Sequence, residues 1–210
     1  MLTKRLFLGL AAAGAIALGT SGSALAASGA PSVGQPAPNF TAVDSNGKTV
    51  KLSDYKGKIV VLEWTNHQCP YTVKHYVTGN MQKTQAKAKE MGVVWLTIVS
   101  SEPGSQGYVT PKEANALTTS RKANPSHVLL DPKGVVGKAY DARVTPHMYV
   151  VGKDGTLLYM GGMDDKPTWR QSSVKDAHNY VLAALDDIQA GRAVKDAVTQ
   201  HYGCTIKYGS

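Results

Sequence analysis

Lys58-Ile59-Val60-Val61-Leu62-Glu63-Trp64-Thr65-Asn66-His67-Gln68-Cys69-Pro70-Tyr71-Thr72-Val73-Lys74-His75-Tyr76 is the stretch on which the reading of this chain turns. Ile59 to Trp64 reads as a buried strand and Thr65 to Gln68 as a short loop. Pro70 suits the first turn of a helix, where its missing N–H costs nothing. A thiol at Cys69 therefore stands at a helix N-terminus. Unpaired backbone N–H groups and the positive end of the helix dipole favour a thiolate there, and the thiolate is the reactive form of cysteine. The competing reading is an inert, buried cysteine, which is common for this residue type. The loop, the proline and the two neighbouring histidines favour reactive sulfur.

The two ends set the setting for that sulfur. Lys4 and Arg5, an apolar run from Leu6 to Leu18, and small residues ending at Ala24-Leu25-Ala26 have the form of a secretory signal over residues 1–26. The apolar run falls short of the roughly 20 residues that span a bilayer. A lipidated N-terminus is excluded, because no cysteine lies near the cleavage site. Thr3-Lys4-Arg5-Leu6-Phe7-Leu8 is a partial twin-arginine pattern with Lys in the first arginine place, so ordinary export is expected over the twin-arginine route. The product is expected in the periplasm or secreted, and not as an integral membrane protein after cleavage. Loss of Lys4 and Arg5 lowers the formal charge of +8 by two. The remaining surplus is spread out, with Lys83, Lys87 and Lys89 its densest group and no interleaved aromatics, which speaks against nucleic-acid binding.

Both cysteines, Cys69 and Cys204, remain after cleavage and meet an oxidising compartment, where pairing is allowed. A permanent staple and a reversible, catalytic pair both fit the sequence. The second keeps a helix-terminal thiolate in use.

Ser28 to Pro38 is rich in Ser, Gly and Pro, and residues 27–38 read as a linker. Phe40 to Val43 and Thr49 to Leu52 flank Ser45-Asn46-Gly47-Lys48, a strong hairpin signal. Beyond Pro70, Val73, Val77, Met81, Ala88 and Met91 form one helical stripe, with Gly79 placed to kink or split it. Val93 to Val99 reads as a central strand covered on both faces. Thr110-Pro111-Lys112-Glu113 predicts a capping box opening a helix to about residue 123. His127 to Leu130 is a short strand, Met148 to Val151 and Thr156 to Met160 form a second hairpin, and a last helix spans about Val174 to Ala190 with Val181, Leu185 and Ile188 inward. This order predicts an α/β domain over residues 39–190, a central mixed sheet flanked by helices with an N-terminal β-hairpin, followed by a tail, 191–210, that carries Cys204.

The strand-loop-Cys-helix junction and Thr145-Pro146 just before a strand, taken together, resemble the thioredoxin-like fold, and within it the redoxin branch of alkyl hydroperoxide reductases and thiol-specific antioxidant proteins. The resemblance runs from about Val33 to Met163. It is carried by V-G-Q-P-A-P-N-F, D-S-N-G-K-T-V-K-L-S-D-Y-K-G-K, the cysteine loop, V-L-L-D-P-K-G-V-V-G-K-A-Y, and V-T-P-H-M-Y-V-V-G-K-D-G-T-L-L-Y-M-G-G. N-H-Q-C-P-Y and the terminal G-C-T-I-K-Y are similar to a bacterial peroxiredoxin-like subfamily whose members tend to carry a second cysteine near the C-terminus. The resemblance implies that Pro146 is cis, faces Cys69, and leaves the backbone of Thr145 to pair with an extended substrate. Two departures stand out. The C-x-x-C of disulfide-exchanging relatives is Cys69-Pro70-Tyr71-Thr72 here, and in the P-x-x-x-T-x-x-C of typical peroxiredoxins the Pro and Thr places hold Leu62 and Asn66.

Together these residues point to an exported thiol-dependent oxidoreductase in which Cys69 attacks a peroxide or a disulfide and Cys204 resolves the product. Thr145 and Pro146 are expected at the substrate. Asn66 and His67 are candidates for lowering the thiol pKa or orienting a polar substrate, and Arg143 for supplying positive charge, although a surface role fits each of them as well. Trp64 reads as core. No cofactor and no metal are expected, and reduction would need an external, thioredoxin-like thiol donor, since no nucleotide or flavin fingerprint is present. Two other readings remain: a copper-binding protein using His67, Cys69, His75, His147 and Met148, whose imidazoles and soft sulfur suit that metal, or a thioredoxin-fold binding module without turnover.

Overall fold

The computed structural model describes residues 30–209, so the expected signal segment and the first residues of the expected linker lie outside the described residues. The alternating run after Asn39 forms β1 (Thr41–Asp44) and β2 (Thr49–Lys51), joined where Gly47 adopts a left-handed φ of 80°. β3 (Val60–Trp64) is buried along its whole length and is followed by α1 (Pro70–Val77) and α2 (Asn80–Glu90). β4 (Val94–Val99), α3 (Pro111–Ser120) and β5 (His127–Leu130) come next, then α4 (Val135–Ala139), a short helix that the sequence does not announce. β6 (Val144–Thr145), β7 (His147–Val151), β8 (Leu157–Gly161), α5 (Tyr180–Gln189) and β9 (Cys204–Thr205) complete the order.

Seven strands form one mixed sheet in the order β2-β1-β5-β4-β3-β7-β8. β3, β4 and β5 run parallel, while β1 and β7 are antiparallel to their partners in the centre. Both faces of the sheet are covered: Leu62, Trp64, Leu96, Ile98 and Tyr149 pack on one side, and Val61, Trp95, Met148, Val150, Val181 and Leu185 on the other. Trp64 is core, as expected, wedged between Tyr140 and Tyr149 with ring centroids 5.3 and 5.1 Å away. The capping box is formed in full, Thr110 Oγ1 accepting from the Glu113 N–H and the Glu113 carboxylate accepting from the Thr110 N–H.

Gly79 takes a φ of 75° and splits the long helix into α1 and α2, as its place in the stripe anticipated. Three differences from the expected elements have local causes. With that break, α1 turns polar residues inward, burying Thr72, Lys74, His75 and Tyr76 while Val77 is exposed. The final helix starts at Tyr180, where the Asn179 side chain accepts from the Leu182 N–H, and Gln171–Asp176 form a separate 3-10 turn. Residues 34–38 of the expected linker lie along the β7–β8 hairpin: the Gly34 N–H donates to the Leu157 carbonyl and the Ala37 N–H to that of Gly155.

Candidate functional site

The end of β3 and the start of α1 place Cys69 as the residue that caps the helix, with an extended φ of −76° and Pro70 in the first turn. The Cys69 N–H donates to the carbonyl of Asn66, which closes the loop. Asn66 is itself buried. Its Oδ1 accepts from the Gln68 N–H at 2.8 Å, and its side chain presses on Gly107, where any Cβ would collide with it. Asn66 therefore shapes the loop, a role read directly from these contacts.

The Thr145–Pro146 bond is cis, and the backbone before it reaches the sulfur: in its protonated form the Cys69 thiol donates to the Thr145 carbonyl at 3.0 Å. Cys204 arrives from the far end of the chain. β9 pairs antiparallel with β6, setting Cys204 opposite Thr145, the residue whose carbonyl meets the Cys69 sulfur, so that each thiol lies close enough to shift the other's pKa. Both cysteines are free thiols, Cys69 fully buried and Cys204 partly exposed.

The electrostatics separate the two thiols. Burial pushes Cys69 up, but hydrogen bonds from the Cys204 thiol, the Thr145 side chain and the backbone N–H groups of Thr72 and Cys204 outweigh it, leaving the thiol below its ordinary value. Cys204 moves the other way, pushed up to about 12 by burial and by the adjacent Cys69. The two thiols are thus shifted in opposite directions, Cys69 down and Cys204 up. Thr72, in the place where C-x-x-C relatives carry their second thiol, is fully buried and its hydroxyl has no partner.

The other expected site residues face elsewhere. His67 is half-buried and lines a cavity of about 40 Å³ beside α3, together with Thr65, Thr97 and Arg121; the Arg121 guanidinium donates to the His67 carbonyl at 2.9 Å. Burial and the Arg121 charge hold its imidazole below the usual histidine range. Arg143 is exposed and its guanidinium is engaged by Asp141 at 2.7 Å, so its charge is taken up by a carboxylate two residues away. His147 lies buried after the cis proline, its Nδ1 accepting from the Arg143 N–H at 3.4 Å and lying 3.2 Å from Tyr149 Oη, and burial and His201 push it down to about 3. His75 belongs to a different cluster altogether. Among the described residues no three His, Cys, Asp or Glu side chains are grouped so as to hold a metal ion.

Two groups went unread in the sequence. Glu63 is fully buried in β3 and collects four donors: Tyr76 Oη at 2.8 Å, Trp95 Nε1 at 2.8 Å, Thr97 Oγ1 at 3.0 Å and Gln85 Nε2 at 3.3 Å. Burial raises its pKa, against the pull of those hydrogen bonds. A lone acid inside an apolar strand was the available signal. The second is Lys74, His75, Asp164 and Tyr202, all buried, in which the Tyr202 hydroxyl donates to Asp164 and Lys74 Nζ lies 3.4 Å from that carboxylate. Its members are up to 128 positions apart in the chain, so no local pattern announces it.

A central mixed sheet, a cysteine capping the helix that follows its middle strand, and a cis proline facing that cysteine define a thioredoxin-like protein. More narrowly, the chain belongs to the Redoxin family, whose family model matches residues 32–181. Thiol-disulfide oxidoreductase ResA of Bacillus subtilis (strain 168) is 27% identical over 127 residues, 60% of this chain and 65% of that protein, so the chain spans less than two thirds of that relative. Peroxiredoxin-1 of Gallus gallus is 27% identical over 195 residues, covering 87% of this chain and 84% of that protein. Among solved structures, the hypothetical protein SMc02350 of Sinorhizobium meliloti 1021 shares the fold with a TM-score of 0.75 at 22% identity, over 87% of this chain and 97% of its own.

Proposed function

We propose that the protein is an exported thiol-dependent oxidoreductase in which Cys69 is the nucleophile and Cys204 the resolving thiol. The observation that carries this reading is that Thr145 meets both cysteines, its carbonyl accepting from Cys69 Sγ and its backbone paired with Cys204, with one thiol held below and the other above the ordinary thiol range. The Cys69 thiolate attacks one oxygen of a peroxide, the O–O bond breaks, and the departing oxygen takes a proton to leave as alcohol or water. Cys69 is then a sulfenic acid. The negative charge that kept Cys204 protonated is gone, so Cys204 loses its proton, attacks the Cys69 sulfur and expels water as the disulfide forms. An external dithiol returns both thiols and is itself oxidised to a disulfide.

A disulfide substrate would enter the same cycle at Cys69 through a mixed disulfide. Both names found among relatives, thiol-disulfide oxidoreductase and peroxiredoxin, support this chemistry. Export rests on the charged, apolar and small-residue pattern of residues 1–26, and among the described residues no helix is long and apolar enough to cross a membrane.

The test is a non-reducing peptide map of the mature protein treated with one equivalent of peroxide. A Cys69–Cys204 peptide is expected from the wild type, a Cys69 sulfenic acid from Cys204→Ser, and neither product from Cys69→Ser. Full peroxide and disulfide turnover by Cys69→Ser would overturn the assignment.

A further inference from the structure

We propose that β9 is a resident occupant of the substrate edge: the segment Tyr202 to Ile206 fills the main-chain pairing beside Cys69, which restricts that sulfur to small oxidants and to Cys204 and keeps protein disulfides out. This rests on the reading of Cys69 as the nucleophile and adds the class of substrate it accepts.

The pairing is specific. Val144 lies opposite Thr205 and Thr145 opposite Cys204, and the Ile206 N–H donates to the Arg143 carbonyl at 2.9 Å. An extended polypeptide that docks by adding a strand needs the free N–H and C=O groups of the receiving edge. Here the Arg143 carbonyl is already taken by the Ile206 N–H, and Val144 and Thr145 are already paired with this chain's own tail. Gly203 is what lets the tail lie so close, because it has a φ of 141° and a Cβ there would collide with the Thr145 carbonyl.

The tail is fastened on both sides of Cys204. Before it, Tyr202 reaches the buried cluster on α1: its hydroxyl donates to Asp164, Lys74 Nζ donates to that hydroxyl at 3.3 Å, and its ring lies 5.8 Å from that of Tyr71. After it, Ile206 is buried in the main core, and Tyr208 Oη donates to the Ala142 carbonyl at 2.6 Å while its ring covers Gly134 and Gly137. The Glu102 N–H adds a bond to the Lys207 carbonyl at 2.8 Å. Lifting the strand would leave Asp164 and Lys74 short of a partner and expose Ile206, which opposes displacement by an incoming chain. A peroxide needs no strand edge. The fully buried Cys69 beneath the partly exposed Cys204 has the geometry this selection requires.

The experiment measures access to Cys69 in the mature Cys204→Ser protein, with and without Gly203→Val, which drives a side chain into the Thr145 carbonyl. Alkylation by a bulky maleimide is expected to rise at least about tenfold with Gly203→Val, the factor by which an occupied edge lowers the reactive fraction. Single-turnover oxidation by hydrogen peroxide is expected to change less than about threefold, well inside that factor. With Cys204 present, insulin reduction is expected to appear in Gly203→Val and to be negligible in the wild type. Circular dichroism checks folding, and Gly203→Ala, whose single Cβ already meets the Thr145 carbonyl, is the second variant should Gly203→Val not fold. Equal maleimide rates with and without the tail displaced, or insulin reduction by the wild type at the rate of the displaced variant, overturns the proposal. A Cys69 that meets maleimide as expected but never reacts with peroxide or insulin would instead sink the nucleophile assignment and leave the occupancy standing.

Discussion

Cys204 stands opposite Thr145 in the β6–β9 ladder, so the residue before the cis proline and the second cysteine share one main-chain pairing, and that pairing sets the distance between the two thiols. A resolving thiol held this way does not have to search for its target. Tethering it by strand pairing raises its effective concentration at Cys69 without a C-x-x-C turn.

The two thiols are expected to titrate apart. Absorbance of the reduced native protein at 240 nm should show one thiolate forming below the ordinary thiol pKa of about 8.5, and no second one until the alkaline range around 12. In denaturant both should rise together near the ordinary value. Two overlapping native titrations would show that the hydrogen bonds around Cys69 do not outweigh its burial.

Acid should weaken the fold from near pH 6.5 downward. Burial holds His75 at about 4 and His147 at about 3, against an ordinary value of 6.5. Between those limits the unfolded chain binds protons that the native state does not, so stability rises with pH in that window and falls as pH drops through it. Urea melts at half-unit steps from pH 4 to 7 should show the slope. A flat profile would mean the two rings are protonated, and so solvated, in the native state.

Glu63→Ala should be among the most damaging core substitutions. It leaves Trp95 Nε1, Tyr76 Oη, Thr97 Oγ1 and Gln85 Nε2 without their acceptor in a dry interior. A loss of about 3 kcal/mol or more is expected, read as a lower urea midpoint with an unchanged m-value. A loss under about 1 kcal/mol, the size of a single ordinary hydrogen bond, would contradict the role of this carboxyl as a hub.

Lys74 and Asp164 should behave as a coupled pair. Both side chains are fully buried, 3.4 Å apart, and Lys74→Met strands the carboxylate with only neutral donors. A cost of about 3–5 kcal/mol is expected for that single change. Lys74→Met with Asp164→Leu should cost clearly less than the two single losses added together, which a double-mutant cycle by urea unfolding measures.

Much of the fold could be read locally. The Asn-Gly hairpin, the apolar strands β3 and β4, the capping box at Thr110 and the break at Gly79 each follow from a few neighbouring residues whose φ preference or spacing leaves one conformation favoured. Cys69 as a helix cap is of the same kind, because Pro70 and the preceding strand mark it. The inward face of α1 was not legible: a stripe of Val73 and Val77 pointed one way, and the buried partners Glu63 and Asp164 turned Lys74, His75 and Tyr76 inward instead. Arg143 shows the same limit, since nothing in the linear chain says that Asp141 will take its charge.

The chain alone determined that a thiol would sit at the start of a helix after a buried strand, because that is a short-range consequence of side-chain size and backbone freedom, whereas the expectation that Pro146 faces it came from the family resemblance. Only the tertiary structure decided that Cys204 is the thiol beside it and that the tail fills the edge at Thr145. That outcome depends on Tyr202, Ile206 and Tyr208 each finding a buried site contributed by residues far away in the chain, and such long-range complementarity has no signature in local sequence.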